Sequence, residues 1–258
     1  MLTCENLVLR QGSFSLRSDV AFEMGKAVAL IGPSGAGKST LLAAIAGFLL
    51  PASGRLLWDG VDLSGAAPGA RPVSMLFQDN NLFPHLTAAQ NVGLGLRPDL
   101  RLNAQDEAVV AAALADVGLD GFGDRKPGAL SGGQQSRVAL ARVLVANRSL
   151  VLLDEPFAAL GPALKDEMLD LVKAKLVAGG KTVIMVTHDP ADARRIADMA
   201  ALVADGMVHA PVATDVLFDN PPCGAGSLSW VRWVKGPPDV KQKARQLAGL
   251  VFVRSVQT

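Results

Sequence analysis

A glycine-rich segment directly follows a short apolar run and carries the residue types that hold phosphate. The segment after apolar residues 28–31 reads Gly32, Pro33, Ser34, Gly35, Ala36, Gly37, Lys38, Ser39 and Thr40. Glycine lets successive backbone N–H groups turn toward an anion. A lysine at this spacing reaches the β- and γ-phosphates, and the hydroxyl that follows can ligate Mg²⁺. Because a strand-like run precedes the segment and a helix-like run follows it, the pattern predicts a nucleoside triphosphate site rather than a glycine-rich turn with a chance lysine.

A second apolar run, residues 150–153, ends in two carboxylates, Asp154 and Glu155. A continuous apolar run of this length indicates a strand buried on both faces of a parallel sheet. Ligands bind at the carboxyl ends of such strands. Asp154 is therefore suited to hold Mg²⁺ indirectly, through water or through another ligand of the ion, and Glu155 is suited to act as the base that polarises an attacking water.

A third candidate is a turn upstream of these carboxylates, made of Ser131, Gly132, Gly133 and Gln134. Ser131 can cap the helix that we expect over residues 136–146, and the two glycines leave helix N–H groups open to a second phosphate. Taken alone, the same pattern fits an ordinary glycine-rich helix cap. In combination with the phosphate loop and the two carboxylates, it favours a nucleotide contact.

These segments, together with a Thr-His-Asp run at residues 187–189, occur in the order typical of a known family. Over about residues 1–220 the chain resembles the ATP-binding subunits of ABC transporters. The resemblance implies an α/β fold with a P-loop NTPase core, an N-terminal antiparallel β subdomain and an α-helical subdomain inserted at about residues 80–145. It does not cover residues 221–258, which we expect to form a C-terminal extension of unknown role.

The resemblance also implies roles for individual residues. Two subunits would enclose two ATP molecules, with residues 131–134 of one chain against the nucleotide on the phosphate loop of the other. His188, which by itself would fit a structural histidine, would hold the γ-phosphate and the attacking water. Gln78, after apolar residues 73–77, would sense Mg²⁺ and the attached membrane subunit. The implied catalytic residues are thus Glu155, His188 and Gln78, and the implied Mg²⁺ ligands are Ser39, Gln78 and Asp154.

A finer resemblance concerns the transported substrate. Residues 71–96, and the paired Asn80 and Asn81 above all, are similar to importer ATPases that serve thiamine. This resemblance implies an ATP-hydrolysing subunit held peripherally at the cytoplasmic face of a bacterial inner membrane. Its implied partners are a second copy of itself, transmembrane permease subunits and, indirectly, a periplasmic substrate-binding protein. Two alternatives stay open: an importer ATPase for a polyamine, iron or an oxyanion, and an ABC-type regulatory module that hydrolyses ATP weakly.

The composition of the 258 residues is consistent with this class of protein. A formal net charge of +1 predicts no general attraction to nucleic acid. Half of the residues are hydrophobic, yet the longest apolar stretch, near residues 41–50, is far below the ~20 residues that a membrane-spanning helix needs. We therefore expect a docking partner to cover part of this apolar surface, although an alanine-rich core accounts for some of it. Two cysteines, Cys4 and Cys223, form no disulfide framework, which is typical of a cytosolic protein.

Three positions depart from the family pattern. Gln11 stands where an aromatic residue usually stacks on adenine, and Phe14 is the nearest substitute. Gln135 replaces the usual arginine after the turn at residues 131–134. Gly161 replaces an aspartate that ordinarily couples the two chains, and Asp166 is the candidate to compensate. The changes at positions 11 and 161 predict weaker nucleotide binding and weaker coupling, not loss of the site.

Patterning also predicts several elements. Alternating apolar residues over the first 27 positions predict short antiparallel strands. Asn103 is expected to cap a helix that Gly118 ends, with Val109 and its apolar neighbours in the core. Helices are expected over residues 166–177 and 190–199, with a strand over 182–186 between them. The basic tail with Trp230 and Trp233 fits either a membrane-surface anchor or an extension without a specific contact.

Overall fold

The computed structural model of the protein describes residues 1–158 and 160–219. The strands are β1 (Leu2–Gln11), β2 (Phe14–Phe22), β3 (Ala27–Ile31), β4 (Ser53–Trp58), β5 (Val61–Asp62), β6 (Val73–Leu76), β7 (Leu150–Asp154), β8 (Thr182–Val186), β9 (Met199–Ala204), β10 (Met207–Val208) and β11 (Val212–Ala213). The helices are α1 (Lys38–Ala46), α2 (Ala88–Gly93), α3 (Ala104–Asp116), α4 (Gly132–Ala146), α5 (Pro162–Val172), α6 (Pro190–Ile196) and α7 (Thr214–Asp219). The predictions for Cys223, Trp230 and Trp233 lie outside the described residues.

One sheet joins these strands in the order β5-β4-β1-β2-β10-β9-β3-β8-β7-β6, and β11 pairs with β9. Its N-terminal part is antiparallel, as predicted, because β1 pairs with both β2 and β4. These strands are longer than expected: β1 has 10 residues and β2 has 9. Their alternating burial places one face of the hairpin against the core that also contains α1.

The other part of the sheet is parallel, with β9, β3, β8, β7 and β6 side by side. All five residues of β3 and of β8 are buried, which explains why their sequences are continuous apolar runs. Strand β7 is buried until its last residue, Asp154. Since parallel strands end at the same edge, the segments after β3, β6, β7 and β8 meet there.

Helices α2, α3 and α4 lie between β6 and β7, and each begins at a capping box. Thr87, Asn103 and Ser131 are the capping residues. The prediction for Asn103 is confirmed, and Gly118 follows the end of α3 with φ 68°. The expectation for Val109 is wrong, because its side chain is 42% exposed while Val110 is buried.

Three helix boundaries differ from expectation. Helix α4 begins at Gly132, not at residue 136, directly after its capping residue Ser131, whose hydroxyl accepts a hydrogen bond from the Gln134 N–H. Helix α5 begins at Pro162 and continues as a π-helical turn, Lys173–Val177. Helix α6 ends at Ile196 because Met199 already starts β9. Within the described part of the chain, no helix has both the length and the hydropathy needed to cross a membrane.

Candidate functional site

The parallel edge of the sheet assembles most of the predicted site residues. The loop of residues 32–37 follows β3, Asp154 ends β7, and His188 follows β8 by two residues. Because β3, β8 and β7 are neighbours in the sheet, these groups lie side by side. Gln78 follows the next strand, β6, and is exposed; no hydrogen bond joins it to the other groups in the part of the chain that the structure describes.

The phosphate loop is held in shape by its own lysine. The Lys38 ammonium donates to the carbonyl oxygens of Gly32 at 2.8 Å and Pro33 at 2.9 Å. Only 7% of Lys38 is exposed, and burial lowers the pKa of this amine while the carboxylates of Glu155 and Asp154 act to raise it. The loop therefore encloses a point charge at its centre, which is the arrangement that binds phosphate oxygens.

The loop backbone approaches its neighbours too closely for side chains at two glycines. A Cβ on Gly32 would lie 2.1 Å from the carbonyl oxygen of Val203, and a Cβ on Gly37 would lie 2.7 Å from the Phe14 ring. Gly37 precedes α1 with φ 105°, in the left-handed region that favours glycine. Phe14 therefore packs against the phosphate loop, whereas Gln11 is exposed at the end of β1.

A hydroxyl and a carboxylate meet beside the loop. The Ser39 Oγ donates to Asp154 Oδ1 at 3.1 Å. Burial raises the pKa of Asp154, and the hydrogen bond from Ser39 and the charge of Lys38 oppose that shift. Oxygen donors of this kind suit Mg²⁺, which is usually held by one or two protein groups together with phosphates. The described residues contain no cluster of three or more His, Cys, Asp or Glu side chains that could hold a metal alone.

Glu155 and His188 form the next pair along this edge. Glu155 leaves β7 with φ 44°, a strained conformation for a non-glycine residue, and its N–H donates to the carbonyl of Val186 at 3.1 Å. Its carboxylate lies 3.2 Å from His188 Nδ1. Glu155 is 24% exposed and His188 is 60% exposed at the side chain, so both reach the surface where a nucleotide could bind.

A lysine that sequence reasoning missed ties α5 to the His188 loop. The Lys165 ammonium lies 2.7 Å from a carboxylate oxygen of Asp189 and 2.7 Å from one of Asp192. Burial acts to lower the pKa of Lys165, but its hydrogen bonds to both aspartates raise it overall. Asp192 also accepts a hydrogen bond from the Thr187 hydroxyl at 3.2 Å. The residues on both sides of His188 are thus fixed to α5, a long-range contact without a local sequence signal.

The turn at residues 131–134 is exposed at Ser131 and Gly132. The Ser131 N–H donates to Gln134 Oε1 at 2.9 Å, and the Gln134 N–H donates to the Ser131 hydroxyl at 3.3 Å. Gln135 binds the preceding loop instead, donating to the carbonyls of Pro127 at 3.0 Å and Leu130 at 3.2 Å. Among the described residues, no hydrogen bond or ion pair links this turn to the phosphate loop.

Gly161 lies before the first residue of α5 and provides no side-chain cap. A Cβ at this position would meet no atom within 4 Å. Asp166 does not lie free to replace the missing carboxylate, because Arg195 Nη1 binds it at 3.0 Å. The structure thus offers room for an aspartate at position 161 without showing a compensating group at position 166.

Comparison with known proteins decides the family. The family model described as ABC transporter matches residues 17–158. This chain belongs to the ABC transporter ATP-binding family. The ATP-binding cassette MJ0796, solved as a dimer in a post-hydrolysis state bound to ADP and Pi, superposes on this chain with a TM-score of 0.74. It is 31% identical in sequence, and the match covers 83% of this chain and 99% of that one. The ABC ATPase fold predicted from the motifs is therefore confirmed.

Several curated relatives that share one name match this chain, and each of these matches covers nearly the whole length of the relative. The thiamine import ATP-binding protein ThiQ of Cereibacter sphaeroides is 60% identical over 222 residues, which are 86% of this chain and 96% of the relative. The proteins of that name from Ruegeria and from Escherichia coli are 58% and 51% identical, again over 86% of this chain. The match covers 96% of the Ruegeria protein and 94% of the Escherichia coli protein.

Proposed function

We propose that this chain is the ATP-hydrolysing subunit of a bacterial thiamine importer. The observation that carries the proposal is the identity of 51–60% to proteins named for thiamine import, over at least 94% of their length. Thiamine itself need never touch this subunit, so the substrate rests on similarity to those relatives, whereas the chemistry rests on the site.

The phosphate loop is the proposed ATP-binding element. Lys38 would exchange its contacts with the loop carbonyls for the β- and γ-phosphates, and the N-terminus of α1 would direct N–H groups to the same anion. The remaining residues proposed to line the nucleotide are Gly32, Pro33, Ser34, Gly35, Ala36, Gly37, Ser39 and Thr40. The close packing of this loop against its neighbours, which leaves no room for side chains at Gly32 or Gly37, supports a preformed site.

Mg²⁺ fits beside Ser39 and Asp154, because their oxygens already lie 3.1 Å apart. We propose that these residues hold the ion, Asp154 directly or through water, and that Gln78 joins them once the nucleotide is bound. When bound, Mg²⁺ neutralises charge on the β- and γ-phosphate oxygens. The hydrogen bond from the Ser39 hydroxyl to Asp154 Oδ1 supports this role, because it holds the carboxylate next to the other proposed ligand.

Glu155 is the proposed general base, and His188 is its proposed partner. A water between the Glu155 carboxylate and the γ-phosphate would give up its proton to Glu155 as its oxygen attacks phosphorus, while the bond from that phosphorus to the β,γ-bridging oxygen breaks and ADP leaves. His188, within 3.2 Å of the carboxylate, would orient that water and donate to the γ-phosphate. Lys165 holds the His188 loop through Asp189 and Asp192, which supports a preorganised arrangement.

Two copies of the chain form the proposed working unit. Ser131, Gly132, Gly133 and Gln134 face solvent or are half-buried, so they are free to contact a nucleotide bound to a second chain. The similar cassette MJ0796 was solved as a dimer, which supports the same assembly here. Each of the two sites would then combine the phosphate loop of one chain with the turn of the other.

Permease subunits are the proposed membrane partners, reached from the cytoplasmic face of the inner membrane. A groove of about 410 Å³ runs between α2 and α3, with apolar residues Val110 and Leu114 in its floor and acidic residues Glu107, Asp120 and Asp124 among its lining. Phe48 and Phe83, which are 60% and 44% exposed, add apolar surface at other positions of the chain. An apolar groove with an acidic rim fits a cytoplasmic permease helix that carries basic residues.

Uptake of labelled thiamine tests this function. Cells that lack the gene should lose ATP-dependent thiamine uptake, the parent chain should restore it, and Glu155→Gln should not. Uptake of a polyamine, iron and sulfate in the same cells serves as the matched control. Normal thiamine uptake with loss of one of the other substrates would identify a different importer. Normal uptake of all of them would favour the regulatory alternative.

A further inference from the structure

The outer face of the N-terminal antiparallel sheet carries a groove. The groove has a volume of about 680 Å³ and runs across β1, β2 and β10, and sites for small molecules usually have volumes of about 300–1,000 Å³. The opposite face of these strands belongs, through Leu9 and Leu16, to the core that also contains α1. None of the residues proposed to hold ATP or Mg²⁺ lines this groove, so it is separate from the nucleotide site.

Two arginines without acidic partners line one part of the groove. Arg10 pairs with Ser15 across the β1–β2 hairpin, and Val8 pairs with Arg17. The two arginines are therefore diagonal neighbours on one face, with Cβ atoms about 7 Å apart, within reach of one ligand. Both are exposed, and among the described residues no side-chain hydrogen bond or ion pair engages either guanidinium. Two adjacent guanidinium groups that lack a carboxylate partner fit the oxygens of a phosphate or diphosphate.

A carboxylate and two apolar side chains line the rest of this face. Asp19 follows Arg17 on the same face of β2, about 7 Å further along the strand. Its Oδ1 accepts a hydrogen bond from the Asn6 N–H at 3.0 Å, and the side chain remains exposed. Met207, which is 50% exposed, flanks Arg17 on β10, and Val8 flanks it on β1. The groove thus offers an anionic group and an adaptable apolar surface next to its cations.

We propose that this groove is a second ligand site, which takes a small zwitterion with a phosphate group at one end and a cationic ring at the other. Arg10 and Arg17 would hold the phosphate oxygens, Asp19 would meet the cation, and Val8 and Met207 would contact the ring. The choice of ring rests on the proposed function, because thiamine has a cationic thiazolium ring and its phosphate esters add the anionic group. Thiamine diphosphate is therefore the probe for this site.

Calorimetric titration tests the site in the wild-type chain. Because a diphosphate group could also enter the phosphate loop, the protein is first saturated with a non-hydrolysable ATP analogue and Mg²⁺. Thiamine diphosphate should still bind, at one molecule per chain. Thiamine alone and inorganic diphosphate should each bind at least about 10-fold more weakly, since each lacks the group that one end of the groove would hold.

Three variants separate the two ends of the groove from a general effect of charge. Arg17→Gln should weaken both thiamine diphosphate and inorganic diphosphate at least about 10-fold, as expected for loss of a charge-assisted hydrogen bond. Asp19→Asn should weaken thiamine diphosphate about 10-fold and leave inorganic diphosphate unchanged. Asparagine keeps the oxygen that accepts from the Asn6 N–H, so this change spares the local structure. Arg55→Gln is the matched control, because Arg55 lies on the same sheet outside the groove and pairs with Glu5 at 2.7 Å.

Several outcomes would overturn the proposal. Thiamine diphosphate that fails to bind, or that the ATP analogue displaces, refutes a second site. Unchanged affinity in Arg17→Gln, or equal loss in Arg55→Gln, refutes the phosphate end, and Arg10→Gln replaces Arg17→Gln if that variant does not fold. Inorganic diphosphate that binds as tightly as thiamine diphosphate refutes the cationic end. A different cargo in the uptake assay, with thiamine diphosphate binding that still depends on Arg17, would refute the proposed function and support the groove.

Discussion

The nucleotide edge of the sheet and the turn at residues 131–134 differ in how complete they are within one chain. At the edge, Lys38 is buried against its own loop, Ser39 meets Asp154, and Glu155 meets His188. At the turn, the side chains of Ser131 and Gln134 each accept a hydrogen bond from the backbone N–H of the other residue. The first region carries charged groups fixed by long-range contacts, and the second presents helix N–H groups outward.

The two regions differ because their anion-binding groups carry different kinds of charge. Charged side chains need partners before ligand arrives, because an unpaired buried charge is costly. A capped helix N-terminus needs no such partner, since it carries no full charge: Ser131 accepts from the Gln134 N–H, and the helix dipole still favours an anion. One chain can therefore hold a preformed phosphate loop and still require a second chain to complete the site.

The largest expected effect comes from the edge. Lys38→Ala should abolish ATP binding or turnover, because it removes the one point charge placed against the β- and γ-phosphates. Fluorescent-nucleotide binding and ATPase assays measure this, with circular dichroism to confirm folding. Lys26→Ala, on a lysine outside the site, is the control. Near-normal turnover by a folded Lys38→Ala protein contradicts the assignment of the phosphate loop.

Next in size is the loss of the proposed base. Glu155→Gln should keep ATP binding but slow hydrolysis by about 10²–10⁴-fold, because the amide has the same shape and does not accept the water's proton. Single-turnover hydrolysis and size-exclusion chromatography with ATP and Mg²⁺ measure the two effects. A wild-type rate, or a protein that stays monomeric under these conditions, would show that Glu155 has another role.

Mixing variants tests the division between the two regions directly. Lys38→Ala chains lack the phosphate-loop charge, and Ser131→Arg chains carry a bulky side chain at the turn; each should be inactive alone. Their mixture should recover nucleotide trapping, because a heterodimer contains one site with an intact loop and an intact turn. Trapping that does not recover in the mixture, with both variants folded, would count against sites shared between chains.

The smallest expected effect is at Gly161, in the loop that follows the edge. Gly161→Asp should raise ATP turnover or its cooperativity, since a carboxylate across the interface supplies a charge-assisted hydrogen bond worth roughly 1.5–3 kcal/mol. As an N-cap of α5 it should also stabilise the fold by a few tenths of a kcal/mol, about the known advantage of aspartate over glycine. ATPase kinetics and urea unfolding separate these two contributions.

Gly161→Asn is the matched control, because asparagine caps a helix as well as aspartate but carries no charge. Both variants should gain similar stability, and only Gly161→Asp should gain turnover. Equal turnover in both would mean that the charge at position 161 has no role in coupling the chains.

Much of this protein could be predicted from local patterns. The phosphate loop, the Asp154–Glu155 strand end and the Ser131 cap each depend on residues close in sequence, and the structure places each in the expected element. Val109 was assigned wrongly to the core because it neighbours the buried Val110 on the helix and periodicity alone does not fix the edge of an apolar stripe. Strand β9 was missed because its alanine-rich sequence lacks the β-branched run that indicates a strand.

No local sequence pattern predicted the long-range contacts that orient the site residues. Lys165 is 24 residues from Asp189, and Arg142 is 62 residues from Asn80. From sequence alone, a lysine or arginine on a predicted helix is expected to be exposed. The neighbouring residues do not indicate which distant carboxylate or carbonyl it will contact. The structure gives Asn80 and Asn81 a conformational role that their sequence did not predict, since both have positive φ and their carbonyls accept hydrogen bonds from Arg142.

Residue identity and short spacing were enough to establish the family, the chemical type of each site residue and the order of the motifs. Three-dimensional packing was needed to show that Asp154 contacts Ser39, that Glu155 contacts His188 and that Phe14 packs on the phosphate loop. It also decided that Asp166 is held by Arg195. Such pairings depend on strand order and helix packing, which bring residues together across long stretches of chain where no local preference acts.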